Sequence, residues 1–275
     1  SLVPMKRISS IIRCFDAKPK TRFCICLNMD KIINLGIPHV GELIFESFDT
    51  PELFKCLLVS ETWKVLAEDV LVKRWKGRIF EACKTGETKV VRLLLERCNS
   101  EENGLNIKGD FGCTPFKWAC FVGHKVVVQL LLEHSERIDL NVRDNDELTA
   151  FMLACSFGHK DVVQLLLDHS DRIELNARRI NGWTAFMIAC FYEHKDVVKL
   201  LLDHSNSNID LNVRSNSGWN AFERNARRIN GWTAFMIACY EGHKDVVQLL
   251  LNHSERIELN ARPEERRAGK EYRSR

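Results

Sequence analysis

The chain has 275 residues, 45% of them hydrophobic, and a net charge of +3. That is ample apolar material for a core. The positive charge sits at the ends: residues 1–30 carry six Lys or Arg against two Asp, and residues 262–275 carry six against three Glu. The body is therefore mildly acidic, which argues against nucleic-acid recognition, since that needs basic residues clustered on one face.

No run of about 18 apolar residues occurs, so no membrane span or membrane partner is expected, and the basic start lacks the apolar stretch of a secretory signal. These features predict an intracellular protein, cytoplasmic or nuclear. Residues 1–30 are expected to be disordered or extraneous, because Met29 can equally serve as a start.

Residues 31–75 form the first predicted helical segment. Thr50 before Pro51 and Glu52 reads as an N-cap with proline at the first helical position. Apolar residues at Leu53, Leu57, Leu58, Trp63, Leu66 and Val70 predict two or three short helices. By pattern alone, the segment serves equally well as a cap on whatever follows. Its detailed sequence resembles the F-box: Ile37-Pro38 stands for the opening Leu-Pro, Leu43-Ile44 follows, and Asp49-Thr50-Pro51-Glu52-Leu53 matches the turn between helices. Leu58-Val59-Ser60-Glu61-Thr62-Trp63 matches L-V-C/S-x-x-W, and Trp75 matches a closing tryptophan. The resemblance implies docking on the Skp adaptor of a cullin-type ubiquitin ligase. The contacts carried over are Ile37, Pro38, Leu43, Ile44, Val59 and Trp63.

From residue 76 the chain repeats itself. TPFKWAC at 114–120 recurs as TAFMLAC at 149–155 and as TAFMIAC at 184–190 and 233–239. Each phrase is followed by a second, such as GHKDVVQLLLDH at 158–169, and a degenerate copy begins with IFEAC at 79–83. Five helix pairs are predicted, each a short helix and a longer one with a broad apolar face that only a neighbouring pair can bury. Cysteines recurring at one phase of the repeat read as small buried hydrophobes, mostly reduced. The pattern resembles the ankyrin repeat over residues 76–262. That resemblance implies an all-α solenoid of antiparallel helix pairs with hairpin-like fingers projecting sideways, fingers and inner helices together making a concave binding surface.

The repeat breaks its period once. Thr184 and Thr233 are 49 residues apart instead of 35, and residues 225–239 duplicate residues 176–190 without a change. A surface loop at 213–227 is expected, with the last pair still stacked on the fourth, because extra loop length costs little. Residues 263–275 read as a charged, disordered tail.

No catalytic, metal or cofactor site is expected. The histidines that begin and end each longer helix stand ten residues apart, about 15 Å of rise, too far to share a metal. They read as hydrogen-bonding groups at helix ends. Residues that vary against the repeat are the candidates for holding an unknown target protein: Arg179, Ile180, Trp183, Phe191, Tyr192, Arg228, Ile229, Trp232 and Tyr240, since Trp, Tyr and Arg are enriched at interface hot spots. Two functions follow. The first is a substrate receptor that links a target on the ankyrin surface to a ubiquitin ligase. The second is an ankyrin scaffold or inhibitor whose front helices only cap the repeats.

Overall fold

A computed structural model describes residues 45–46, 48–58, 61–75, 77–97, 104–204, 208–216, 229–260 and 264–265. The described residues fall into two compact units, one ending at Trp75 and taking in Glu96 and Arg97, the last two residues of a helix whose remainder belongs to the other unit.

The front unit contains α1 (Thr50–Cys56) and α2 (Glu61–Trp75). The cap of α1 lies one residue earlier than the sequence suggests. Asp49 is the N-cap: its carboxylate accepts from the Glu52 amide at 2.7 Å while the Glu52 carboxylate accepts from the Asp49 amide at 3.1 Å. This reciprocal box satisfies two otherwise unpaired donors, which a threonine cap at position 50 does not do here. Phe45, Leu53, Trp63, Ala67 and Leu71 form the core, with the Phe45 and Trp63 rings edge to face at 5.3 Å. At the other end of α2, Arg74 donates to the Glu46 and Phe48 carbonyls at 3.2 and 2.9 Å.

The second unit holds five helix pairs: α3 (Ile79–Thr85) and α4 (Thr88–Arg97), α5 (Pro115–Val122) and α6 (Lys125–Glu133), α7 (Ala150–Ser156) and α8 (Lys160–Asp168), α9 (Ala185–Phe191) and α10 (Lys195–Asp203), α11 (Ala234–Glu241) and α12 (Lys244–Asn252). The inner helices α5, α7, α9 and α11 start alike. Thr114, Thr149, Thr184 and Thr233 each cap the helix, the hydroxyl accepting from the amide three residues on. Each such cap contributes about 1 kcal/mol. The degenerate first copy has Arg78 at this place and no side-chain cap.

Three ladders tie each unit to the next. The histidine opening each outer helix donates through Nε2 to a carbonyl at the end of the preceding inner helix: His124 to Lys84 at 3.2 Å, His159 to Phe121 at 2.8 Å, His194 to Ser156 at 2.7 Å and His243 to Phe191 at 2.8 Å. These residues are thus links between units as well as helix-end groups. The asparagines Asn106, Asn141, Asn176 and Asn212 each donate to one carbonyl and accept from one amide of the following unit. Arg143 and Arg178 each reach forward to the next arginine's carbonyl, at 2.9 and 2.7 Å.

The fingers between units close on a shared pair of backbone bonds. Asp144 donates to the Leu148 carbonyl and Arg179 to that of Trp183, while Glu147 and Gly182 return bonds to Asp144 and Arg179. The last finger makes the same pair across the irregularity: Ser215 donates to the Trp232 carbonyl at 2.9 Å and Gly231 to that of Ser215 at 2.9 Å. Residues 213–216, expected within a surface loop, are therefore the outgoing arm of a finger, and Ser215 is buried because its hydroxyl accepts from the Trp232 amide at 3.1 Å. Residues 217–227 of that loop lie outside the described residues. The last pair stacks on the fourth through His243 and through Arg256, which donates to the Leu202 carbonyl at 2.7 Å. Among the described residues, the only strands are an antiparallel pair of two residues each, β1 (Ile229–Asn230) and β2 (Glu264–Glu265).

Candidate interaction surface

The inner helices end in aromatic residues that lie against the bases of the fingers. In the first units Phe80 meets Trp118 at 6.0 Å, Trp118 meets Phe121 at 5.0 Å, and Phe121 meets Phe157 at 4.5 Å, all edge to face. In the fourth unit the finger-base Trp183 meets Phe191 at 5.2 Å and Phe191 meets Tyr192 at 4.9 Å. In the last, Trp232 meets Tyr240 at 5.1 Å. Edge-to-face packing of this kind adds to the burial energy and fixes ring orientation. The tryptophans are half-buried, but Phe157, Tyr192 and Tyr240 keep 48%, 53% and 56% of their surface exposed. Exposed rings thus follow one another in the third, fourth and fifth units, each braced by a neighbouring ring.

The fingers add further groups. Ile180 is exposed at the tip of its finger. Arg179 is held by Asp146, its Nε donating to that residue's carbonyl at 3.1 Å and its guanidinium 3.7 Å from the carboxylate. Such a pair in partial contact with water contributes little stability, and its effect is to place the cation. The indole N–H groups of Trp118, Trp183 and Trp232 are buried without a hydrogen-bond acceptor. Each of these indoles stands edge to face with a neighbouring aromatic ring.

The structure thus brings Arg179, Ile180, Trp183, Phe191 and Tyr192 together, and sets Trp232 and Tyr240 in the same arrangement one unit on. Ile229 contributes its backbone to β1, and Arg228 lies outside the described residues. Of the adaptor contacts, Ile37, Pro38, Leu43, Ile44 and Val59 also lie outside them. Trp63 is 1% exposed. It supports the front unit's core, since its indole packs on Phe45, and as placed it offers no face to an adaptor.

Two groups escaped the sequence reading. Trp118 occupies the phase held by Leu153, Ile188 and Ile237 in other units, and so looks like core; a tryptophan in that one place was the available signal. Lys117 is the other. It is wholly buried at a phase where later units carry Met152 and Met187, with its ammonium 3.0 Å from the Asp144 carboxylate and donating to the Leu148 carbonyl at 2.5 Å. Burial holds the Lys117 pKa below its ordinary value, with Asp144 opposing the shift. The pair pins the finger at 144–148 to the inner helix α5.

The thiols are not reactive groups of this surface. Burial pushes Cys83 up to about 12 and raises Cys120, Cys155 and Cys190 as well. Cys239, at the same phase, is exposed. No group of three metal-ligating side chains occurs among the described residues, nor any helix long and apolar enough to cross a membrane.

Family models agree with this architecture. One described as ankyrin repeats (3 copies) matches residues 47–144, 79–179 and 134–215, and one for a single ankyrin repeat matches residues 230–262. Among curated proteins the chain is similar to scaffold protein ILK of Homo sapiens, Mus musculus and Cavia porcellus, each 39% identical over 61 residues. That stretch is 22% of this chain and 13% of each relative's length.

Proposed function

Because the chain belongs to the ankyrin-repeat family, we propose that it acts without chemistry of its own, holding a protein partner against the exposed rings of its inner helices. The observation that carries this reading is the row of Phe157, Tyr192 and Tyr240, each about half exposed and each braced by a ring behind or beside it. Aromatic side chains already fixed in place lose little freedom on binding. Arg179 and Ile180 extend the patch onto a finger. The similarity to a protein named as a scaffold points the same way.

The test is affinity purification with the intact chain and with Tyr192→Ala and Tyr240→Ala combined. A partner held on this surface loses roughly thirtyfold or more in affinity, the effect of a hot spot worth about 2 kcal/mol. Unchanged capture by the double variant rejects the surface.

A second reading adds a purpose to the holding. In the front unit Leu58 is 89% exposed and Val65 50% exposed, beside a helix start whose sequence resembles the F-box. On this reading the front unit docks on the Skp adaptor and the repeats present the partner for ubiquitination. Purified adaptor is expected to bind the intact chain and to lose binding on Leu58→Asp with Pro38→Ala. If the adaptor does not bind, the scaffold role stands alone.

A further inference from the structure

The exposed rings belong to an apolar column with two defined ends. Val122, Phe157 and Tyr192 each stand immediately before the left-handed residue between paired helices, Gly123, Gly158 and Glu193. They are 38%, 48% and 53% exposed. The same phase is Thr85 in the first unit and Glu241 in the last, so the column covers three consecutive units and meets a polar residue at each end. Inner helices packed side by side lie about 8–10 Å apart, so the three residues span roughly 16–20 Å.

The backbone beneath the column is already engaged. The carbonyls of Lys84, Phe121, Ser156 and Phe191, at the ends of the inner helices, accept from the histidine ladder. The amides of Phe157 and Tyr192 donate to the Leu153 and Ile188 carbonyls. An extended segment laid here would bury its own amides and carbonyls against rings, with little to pair with. A helix avoids that cost, because its backbone is satisfied internally. Charge gives the column a direction. Glu241 closes it at the last unit and Glu193, half-exposed, adjoins Tyr192, while the cation of Arg179 is already held by Asp146.

Resting on the reading of these rings as the surface that holds a partner, we propose that the segment held is an amphipathic helix of that partner, about three turns long. It lies along the stack over Val122, Phe157 and Tyr192. Its apolar residues recur at helical spacing, so that a single stripe meets the column. The positive end of its dipole, with basic side chains in its first turn, faces Glu193 and Glu241.

The test selects displayed random peptides of about 16 residues on the full chain, then measures the survivors as synthetic peptides by fluorescence anisotropy and circular dichroism. The expected sequences carry apolar residues at helical spacing and Lys or Arg in the first turn, and they gain helicity on binding. Val122→Glu is expected to weaken them about tenfold or more, because it sets a carboxylate under the apolar stripe. Glu241→Lys, which leaves the column intact, is expected to weaken them about fivefold, and peptides whose first-turn cations are exchanged for Glu recover the loss. Enrichment of no peptide, alternating apolar residues, no gain of helicity, or indifference to both substitutions overturns the helix. If such peptides still lose binding to the combined Tyr192→Ala and Tyr240→Ala variant, the surface stands and only the helix falls. Peptides indifferent to that variant as well reject the surface itself.

Discussion

Residues 185–190 and 234–239 are the same sequence, Ala-Phe-Met-Ile-Ala-Cys, in the same helix of two different units, yet their surroundings differ. In α9, Phe186, Met187 and Cys190 are buried; in α11, Phe235 and Met236 are half-buried and Cys239 is exposed. Local structure is identical in the two copies, including the threonine cap. The difference is the neighbour. In a stacked array a unit's apolar face is only as buried as its successor makes it, so stability is a sum of junctions and the last unit contributes fewer.

The sharpest way to separate the two environments is pH. Cys83, Cys120, Cys155 and Cys190 are held protonated by burial, above the ordinary 9.0. In the unfolded chain these thiols ionise near that value, so above it the unfolded state binds fewer protons and stability falls as pH rises from 9 toward 12. The loss is about 1 kcal/mol for each thiol between pH 9 and 10, roughly 4 kcal/mol for the set. Urea midpoints at pH 8, 9 and 10 measure it. Replacing all four by Ala flattens the profile, while Cys239→Ala leaves its slope nearly unchanged.

The junction around Lys117 and Asp144 differs from that around Met187 and Ser215, and substitution breaks the difference. Lys117→Met imports the residue of the later units but leaves the Asp144 carboxylate buried without its cation, at a cost of about 3 kcal/mol. Adding Asp144→Ser, the residue of the last finger, recovers much of that loss. A double-mutant cycle by urea denaturation measures the coupling, and purely additive losses would show that the ion pair is not what joins this finger to α5.

The last finger can be brought into line with the third. Excising residues 217–229 leaves Ser215-Asn216-Asn230-Gly231-Trp232, the length and pattern of Arg179-Ile180-Asn181-Gly182-Trp183. Since the closing bonds are already the same, the shorter loop is expected to raise stability by about 1–2 kcal/mol through loop entropy alone. A fall in the thermal midpoint would mean that the excised residues support the finger.

The smallest effect comes from Glu193, which stands where Gly123 and Gly158 end earlier inner helices and takes the same left-handed conformation, φ 59°. Glu193→Gly relieves that strain and gains about 0.5–1 kcal/mol, offset in part by losing the carboxylate 3.4 Å from His243 Nδ1. The shift is measurable in the thermal midpoint.

Much of the molecule was legible from the residues alone. A threonine before each short apolar run, an outer helix with a single apolar stripe and a period of 35 residues dictate five helix pairs, because each local choice is repeated and none contradicts another. The aromatic candidates were legible for the same reason, as exceptions to a regular background. Other features depend on what stacking brings together. Lys117 on an inner helix meets Asp144 on the following finger, Ser215 takes the finger position that Arg179 holds, Trp63 turns inward onto Phe45, and one of two identical helices is left with its cysteine in water. Sequence determined the unit, because helix capping and amphipathicity act within about ten residues. Only the tertiary structure decided what each unit's face touches, because burial belongs to pairs of units and to no single one of them.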